Sequence, residues 1–232
     1  MTTADFSTLD AAGLNLQAVF AIDQLPEKLR ADIRHRFDPA GDYRQLILVG
    51  HGGTKMWEMA MRWVAAEEIV TDDPIDEFSI AQMHKFLSAY RHRIIYPAAD
   101  SLGLQALGKL AGWHHDSPFM VGINAHWGSW YAYRALALAD TDFPPTAPQE
   151  QPSPCLSCNG KPCLAACPSG AVMVEGFALD KCVAWRRQMQ SPCSETCLSR
   201  LACPIAGEHR YSPEQIRHTY AISLRMIERY YG

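Results

Sequence analysis

All eight cysteines of this 232-residue chain fall between positions 155 and 203, in two runs that end alike. The first run is Cys155-x2-Cys158-x4-Cys163-x3-Cys167-Pro168; the second is Cys182-x10-Cys193-x3-Cys197-x5-Cys203-Pro204. Ala precedes the last cysteine of each run (Ala166, Ala202) and Leu follows the third (Leu164, Leu198), so the segment reads as a degenerate internal repeat. Three chemistries can account for it. Disulfides need an oxidising compartment, and Met1–Asp10 carries neither the basic nor the apolar part of a secretory signal. Structural zinc calls for paired C-x2-C knuckles with a longer spacer between them, and only Cys155 and Cys158 have that spacing. Thiolates are soft ligands suited to iron–sulfur clusters, and a [4Fe–4S] cube takes four of them. Two quartets fit two cubes with none left over. Two clusters are the leading expectation, with zinc and disulfides as the alternatives.

The double run resembles the two-cluster ferredoxin module, whose C-x2-C-x2-C-x3-C-P pattern lends its fourth cysteine to the other cluster. The chain keeps the C-x3-C-P ending of the first run. It departs at Cys158-x4-Cys163, at Cys193-x3-Cys197 and in the gap after Cys182. Carried over residue by residue, the resemblance implies that cluster one takes Cys155, Cys158, Cys163 and the distant Cys203. Cluster two would take Cys182, Cys193, Cys197 and the crossing Cys167. Pro168 and Pro204 would end the local turns, because proline fixes φ and donates no hydrogen bond. Residues 171–174 and 177–179 are apolar and would wall the cubes, and burial of that kind tunes a cluster's potential.

The remaining composition is ordinary. The formal charge is −4, and no apolar stretch approaches the roughly 18 residues of a membrane span. Reduced cysteines without a signal point to the cytoplasm and to no membrane partner. Basic residues outnumber acidic ones from Lys181 to Arg229, among them Arg186, Arg187, Arg200, Arg210 and Arg217. Such an excess either offsets anionic clusters or forms a docking patch for an acidic electron donor or a phosphate-bearing ligand.

Proline divides the chain. Pro144, Pro145, Pro148, Pro152 and Pro154 crowd a stretch without helical periodicity, which reads as a semi-rigid linker over 141–154. It separates an N-terminal domain, 1–140, from the cysteine module, 155–210. A closing helix over 211–232 starts at Ser212-Pro213, an N-cap with proline in the first turn. In the N-terminal domain strand and helix patterns alternate. Strands are predicted at Leu14–Ile22, Gln45–Val49, Arg93–Tyr96 and Phe119–Ala125. Helices are predicted at Pro26–His35, Thr54–Glu67, Asp73–Tyr90, Leu102–Leu110 and Ser129–Ala139. The alternation implies an α/β (or α+β) sandwich, followed by the small ferredoxin-like module.

Two turns in that domain are candidate ligand sites. Gly50-His51-Gly52-Gly53 lies between a predicted strand and helix, where backbone N–H groups can meet an anion; it is equally a tight turn that needs glycine. The stretch Asn124–Arg134 gathers His126, Trp127, Gly128, Trp130, Tyr131 and Arg134. Its Gly128, Trp130, Ala132 and Arg134 match a G-x-W-x-A-x-R segment, so it resembles the CblC family of cobalamin-processing proteins, without that family's upstream His-Pro. Together with the cysteine module, the chain resembles the epoxyqueuosine reductase and reductive dehalogenase group, in which a CblC-like domain precedes two [4Fe–4S] clusters.

The resemblance implies a cobalamin or small-molecule site in the N-terminal domain, fed with electrons by the clusters and by a low-potential donor of ferredoxin or flavodoxin type. His126 and Tyr131 would be catalytic proton donors. Gly50, His51, Gly52, Gly53, Trp127, Gly128, Trp130 and Arg134 would hold the cofactor. The chain's end soon after Cys203, without a tRNA-gripping repeat region, argues against a nucleic-acid substrate. The other reading is an electron-transfer protein whose α/β domain only docks a partner.

Overall fold

The computed structural model describes residues 4–97 and 102–231. The chain forms two compact units, one of residues 1–112 and 132–149, the other of 113–131 and 150–232.

The first unit runs α1 (Ser7–Ala11), β1 (Leu16–Ala21), α2 (Glu27–Arg36), β2 (Gln45–Gly52), α3 (Lys55–Ala66), α4 (Pro74–Phe86), β3 (His92–Tyr96), α5 (Leu104–Leu110) and β4 (Tyr131–Ala139). The strands form one sheet in the order β1-β2-β4-β3. β1 pairs antiparallel with β2, from Leu16 opposite Gly50 to Ala21 opposite Gln45, and β3 pairs antiparallel with β4. Contacts at the two ends of β2 set its sense against β4. His51 meets Arg134 near the start of β4, while Gln45 meets Thr141 and Phe143 just past its end. That pair is antiparallel too. The architecture is therefore α+β, and the strand ends do not line one edge as they do in a parallel α/β sheet.

The predicted helix over Ser129–Ala139 is instead the strand β4. Its Ala135, Ala137 and Ala139 join the core built with Met56, Ala60, Phe78 and Met83 of α3 and α4. Leu136 and Leu138 alternate with them and are equally buried. A central strand covered on both faces is apolar at every position, and Ala and Leu have the highest helix propensities. Burial overrides propensity here.

The proline-rich stretch is packed along the first unit as far as Gln149. Phe143 is buried against the rings of Phe86 and Tyr90. Thr146 exchanges hydrogen bonds with Val19 of β1. The Gln149 amide donates to the carbonyl of Ala111. A segment with its aromatic ring buried and its backbone bonded to β1 and to Ala111 is held against the first unit.

The second unit contains α6 (Pro154–Ser157), α7 (Pro162–Ala165), the hairpin β5 (Val172–Met173) and β6 (Gly176–Phe177), α8 (Leu179–Arg186), α9 (Leu198–Leu201) and α10 (Pro213–Tyr231). α7 and α9 are the one-turn helices that precede the two Cys-Pro steps, and they pack on each other. The sequence repeat is thus a structural pair. The α10 N-terminus is capped as the sequence predicts, with the Gln215 amide donating to Ser212 Oγ at 3.2 Å.

Residues 113–131 belong to this unit, so the N-terminal domain boundary expected at 140 does not describe that loop. The predicted strand over Phe119–Ala125 is reduced to single bridges, His115 with Ile123 and Asn124 with Gly128. Asn124 explains why. Its Oδ1 accepts from the backbone N–H groups of His126 and Trp127, and its Nδ2 donates to the carbonyl of Trp113. An Asn that binds its own backbone in this way makes a turn and competes with a ladder. Among the described residues no helix is long and apolar enough to cross a membrane.

Candidate functional site

All eight cysteines are free thiols. Cys167 follows α7, Cys182 lies in α8, and Cys193 and Cys197 frame the loop that leads into α9. These four line one cavity of about 410 Å³. Its walls are mostly apolar, with Phe119, Val121, Val172, Phe177 and Leu198 among them, and its polar lining includes Arg186, Trp185, Thr196 and Tyr220. Two of those polar groups are orphans. Trp185 Nε1 and Thr196 Oγ1 are buried and have no hydrogen-bond partner among the described residues. Each is a donor, and an unpaired buried donor is costly unless something in the cavity accepts from it.

Of the other four thiols, Cys155, Cys163 and Cys203 sit in an apolar cluster that Cys167 also touches. Cys163 and Cys203 are buried with Phe119, Ile123 and Val172, and Cys155 packs against them with Leu164 and Ile205. Residues 171–179 divide in two. Ala171, Val172 and Phe177 face inward, whereas Met173 and Val174 are exposed.

Electrostatics groups the thiols in the same way. Burial pushes the Cys155 thiol up, and Cys203, Cys163 and Cys158 push it further. Burial also raises Cys163, followed by Cys203 and Cys158. Cys203 is raised by burial and by Cys158, against the Ile205 amide, Arg200 and Arg210. Cys182 is raised by burial and by Cys197, Cys167 and Cys193, while Arg186 opposes. Cys193 is raised by burial and by Cys197 and Cys167. Cys167 differs. Burial would raise it, but the Ser169 hydroxyl and the amides of Val172, Ala171 and Ser169 outweigh that and hold the thiol low. Crowded thiols that repel one another as thiolates need a cation between them before all can ionise. Among the described residues no three His, Cys, Asp or Glu side chains gather as ligands of a single metal ion.

Arg186 and Arg200 are buried. Arg200 donates to the carbonyl of Ser129, and its guanidinium lies 4.5 Å from the Trp130 ring centroid and 5.0 Å from that of Tyr211. It also hydrogen-bonds Tyr220, whose phenol is pushed up to about 12, mostly by burial and also by Cys197, against Arg200. The sequence signalled these arginines only as part of a basic excess. Trp185 and Thr196 carried no signal, since a single Trp or Thr on a loop or helix is ordinary.

The other candidates fall in both units. In the second, Trp130 is fully buried and packs with Tyr211 and Ile216. His126 is exposed, its ring edge-on to Trp127 with centroids 4.6 Å apart, and His209 stacks near both. Gly128 has φ +58, and a Cβ there would stand 2.4 Å from the carbonyl oxygen of Ile205. The phenol of Tyr131 is hydrogen-bonded to His114 Nδ1 at 3.1 Å, and His114 Nε2 faces Asp116 at 3.4 Å. With Asp116 accepting from Nε2, Nδ1 is bare and accepts from Tyr131.

In the first unit, β2 runs through Gly50, His51 and Gly52, and the turn comes at Gly53 with φ +76. The amide of Gly52 donates to Asn15 Oδ1 at 2.8 Å, and its carbonyl accepts from Asn15 Nδ2. His51 is fully buried and accepts at Nδ1 from Arg134 Nε at 2.9 Å. The charge of Arg134 also reaches Asp76 and Tyr96. Both are raised by burial, which Arg134 opposes. Of the expected cofactor residues, the first unit brings together His51 and Arg134, while the aromatic ones belong to the second.

No family model and no curated protein matches the sequence. Solved structures do. An epoxyqueuosine reductase in complex with an epoxyqueuosine-modified tRNA stem loop matches with a TM-score of 0.56 and 11% identity, over 92% of this chain and 67% of that one. The epoxyqueuosine reductase of Bacillus subtilis matches with a TM-score of 0.52 and 13% identity, over 89% and 66%. CblC, a B12-trafficking protein of C. elegans, matches with a TM-score of 0.51 and 12% identity, over 93% and 88%. The chain spans about two thirds of the length of those reductases. At these identities the likeness is one of fold. The chain resembles this group in the arrangement of its elements.

Proposed function

We propose that the protein is an iron–sulfur redox protein carrying two [4Fe–4S] clusters, and that it passes electrons to a corrinoid or small-molecule site in its first unit. The observation that carries the reading is the cavity lined by Cys167, Cys182, Cys193 and Cys197, where two orphaned donors lack an acceptor beside a buried arginine. Those four cysteines would hold one cluster, and Cys155, Cys158, Cys163 and Cys203 the other. Bound clusters accept and release single electrons at potentials of roughly −700 to +450 mV. The chain's own part is to exclude water with Phe119, Val172 and Phe177, and to turn Trp185 Nε1–H and Thr196 Oγ1–H toward sulfur. Hydrogen bonds and burial of this kind set the potential. A low-potential donor protein would supply the electrons.

Protein purified without oxygen should contain about eight iron and eight sulfide per chain. Stoichiometric zinc with little iron would end the reading. Cys203→Ala should disturb the cluster held by Cys155, Cys158 and Cys163, and Cys167→Ala the one held by Cys182, Cys193 and Cys197. Electron paramagnetic resonance of the reduced variants reads this directly, and loss confined to the variant's own run would refute the crossed ligand sets.

The corrinoid arm is supported by the CblC-like fold and by the Arg134–His51 pair, where guanidinium charge is available to a carboxamide, carboxylate or phosphate edge. A spectral shift of hydroxocobalamin titrated into the protein tests it. One observation favours the second reading, an electron-transfer protein with a docking domain. In the first unit the polar groups of the proposed pocket are already engaged internally, Gly52 by Asn15 and His51 by Arg134. Intact clusters with no response to cobalamin would select that reading.

A further inference from the structure

Arg186 in α8 is almost fully buried, at 6% exposure. All its hydrogen bonds go to neutral acceptors. Nε donates to the Cys193 carbonyl at 3.0 Å, Nη1 to Ser223 Oγ at 3.0 Å, and Nη2 to the carbonyls of Tyr220 at 2.9 Å and Ser194 at 3.2 Å. The Tyr220 ring lies 5.4 Å from its guanidinium carbon. Among the described residues no carboxylate forms an ion pair with it. A buried guanidinium without an anion is unfavourable, and proteins pair such charges. The groups that line the cavity with it and can become anions are the thiols of Cys167, Cys182, Cys193 and Cys197. Lys161 acts on Cys155 and Arg210 on Cys203, while Arg200 acts on Cys203 of one quartet and on Cys197 of the other.

We propose that Arg186 is the fixed counter-charge of the second cysteine quartet and raises the reduction potential of the cluster held there. This rests on the cluster reading above. One electron from a low-potential donor takes an oxidised cube to its reduced form and adds one negative charge. A cation held nearby in a dry cavity stabilises the more negative state, and does so strongly because the local dielectric is low. Four acceptors anchor the guanidinium fork, so the charge cannot swing away to water. The orphaned donors of Trp185 and Thr196 act in the same direction.

The test is a redox titration of anaerobically purified holoprotein, poised with dithionite and followed by electron paramagnetic resonance, with Cys182→Ala used to assign the second cluster's signal. Arg186→Met should shift that signal downward by at least a tenfold change in the reduced-to-oxidised ratio, which is about 59 mV for a one-electron couple. The first cluster's signal should stay in place, and Arg186→Lys should keep most of the wild-type potential. An equal shift of both signals, or no shift, overturns the proposal. Should Arg186→Met shed the second cluster, Arg186→Lys decides. Retention there supports a counter-charge, and loss in both variants makes Arg186 a structural brace and refutes it. A wild type devoid of iron would instead refute the cluster reading.

Discussion

Three glycines of the second unit form a graded test of its backbone. Gly128 has φ +58, and a Cβ there would meet the Ile205 carbonyl oxygen at 2.4 Å. Gly170 has a similar φ of +63 but open space around it, and Gly207 has open space without a left-handed backbone. Alanine at each position therefore separates two costs. A left-handed residue with a Cβ costs about 1–2 kcal/mol, and forcing atoms into a filled site costs about 1–3 kcal/mol more. Gly207→Ala should stay within about 0.5 kcal/mol of the wild type. Gly170→Ala should lose the first cost alone, and Gly128→Ala both, about 2–5 kcal/mol. For a domain of this size one kcal/mol moves Tm by roughly 4–8 °C, so Gly128→Ala should fall at least about 8 °C below the wild type. Urea unfolding followed by tryptophan fluorescence gives the same ranking at fixed temperature. Ile205 lies two residues after Cys203, so iron bound by the first quartet should drop before that of the second. If Gly128→Ala is no less stable than Gly170→Ala, the close approach of the 124–128 turn to the Cys203-Pro204-Ile205 segment is refuted.

Two further outcomes follow from polar groups. Asn124→Ala removes the acceptor of two backbone N–H groups and the donor to Trp113, and should cost about 1–3 kcal/mol of stability, read by denaturant unfolding; a neutral effect would show that water replaces the amide. Asp76 is raised above its ordinary 3.8 by burial, which Arg134 opposes. Its folded form therefore holds the proton longer than the unfolded chain does. Its contribution to stability is full below the ordinary value and declines as pH rises through the folded one. Asp76→Asn should accordingly gain stability relative to wild type between acid and neutral pH, and a pH-independent difference would contradict the burial argument.

The parts of the fold legible in the sequence are those set by local chemistry. Ser212-Pro213 announces α10 because a hydroxyl cap and an N1 proline satisfy the same backbone groups wherever they occur. Asp73-Pro74 does so for α4, and the apolar run 45–49 for β2. β4 was illegible because Ala-Leu alternation favours a helix until two layers of side chains cover both of its faces. Residues 113–131 could not be assigned to the second unit from sequence either. Asn124 looks like any loop asparagine until its amide is seen holding three backbone groups, and Gly128 like any flexible glycine until Ile205 is seen beside it.

The cysteine site divides along the same line. Thiol spacing is a local property, so two quartets of cysteines can be read directly, together with the basic excess around them. What the spacing does not encode is which charges are dry. Arg187 follows Arg186 in sequence, yet Arg187 is exposed and bonds the carbonyl of Tyr231, while Arg186 is buried against Cys193. A helix turns about 100° per residue, and that rotation alone separates a solvated charge, worth little through screening, from one able to bias an electron. The proposed redox role thus depends on the facing of α8 as much as on its cysteine, and α8 takes that facing from the buried Val183 and Arg186, on the same side one turn apart.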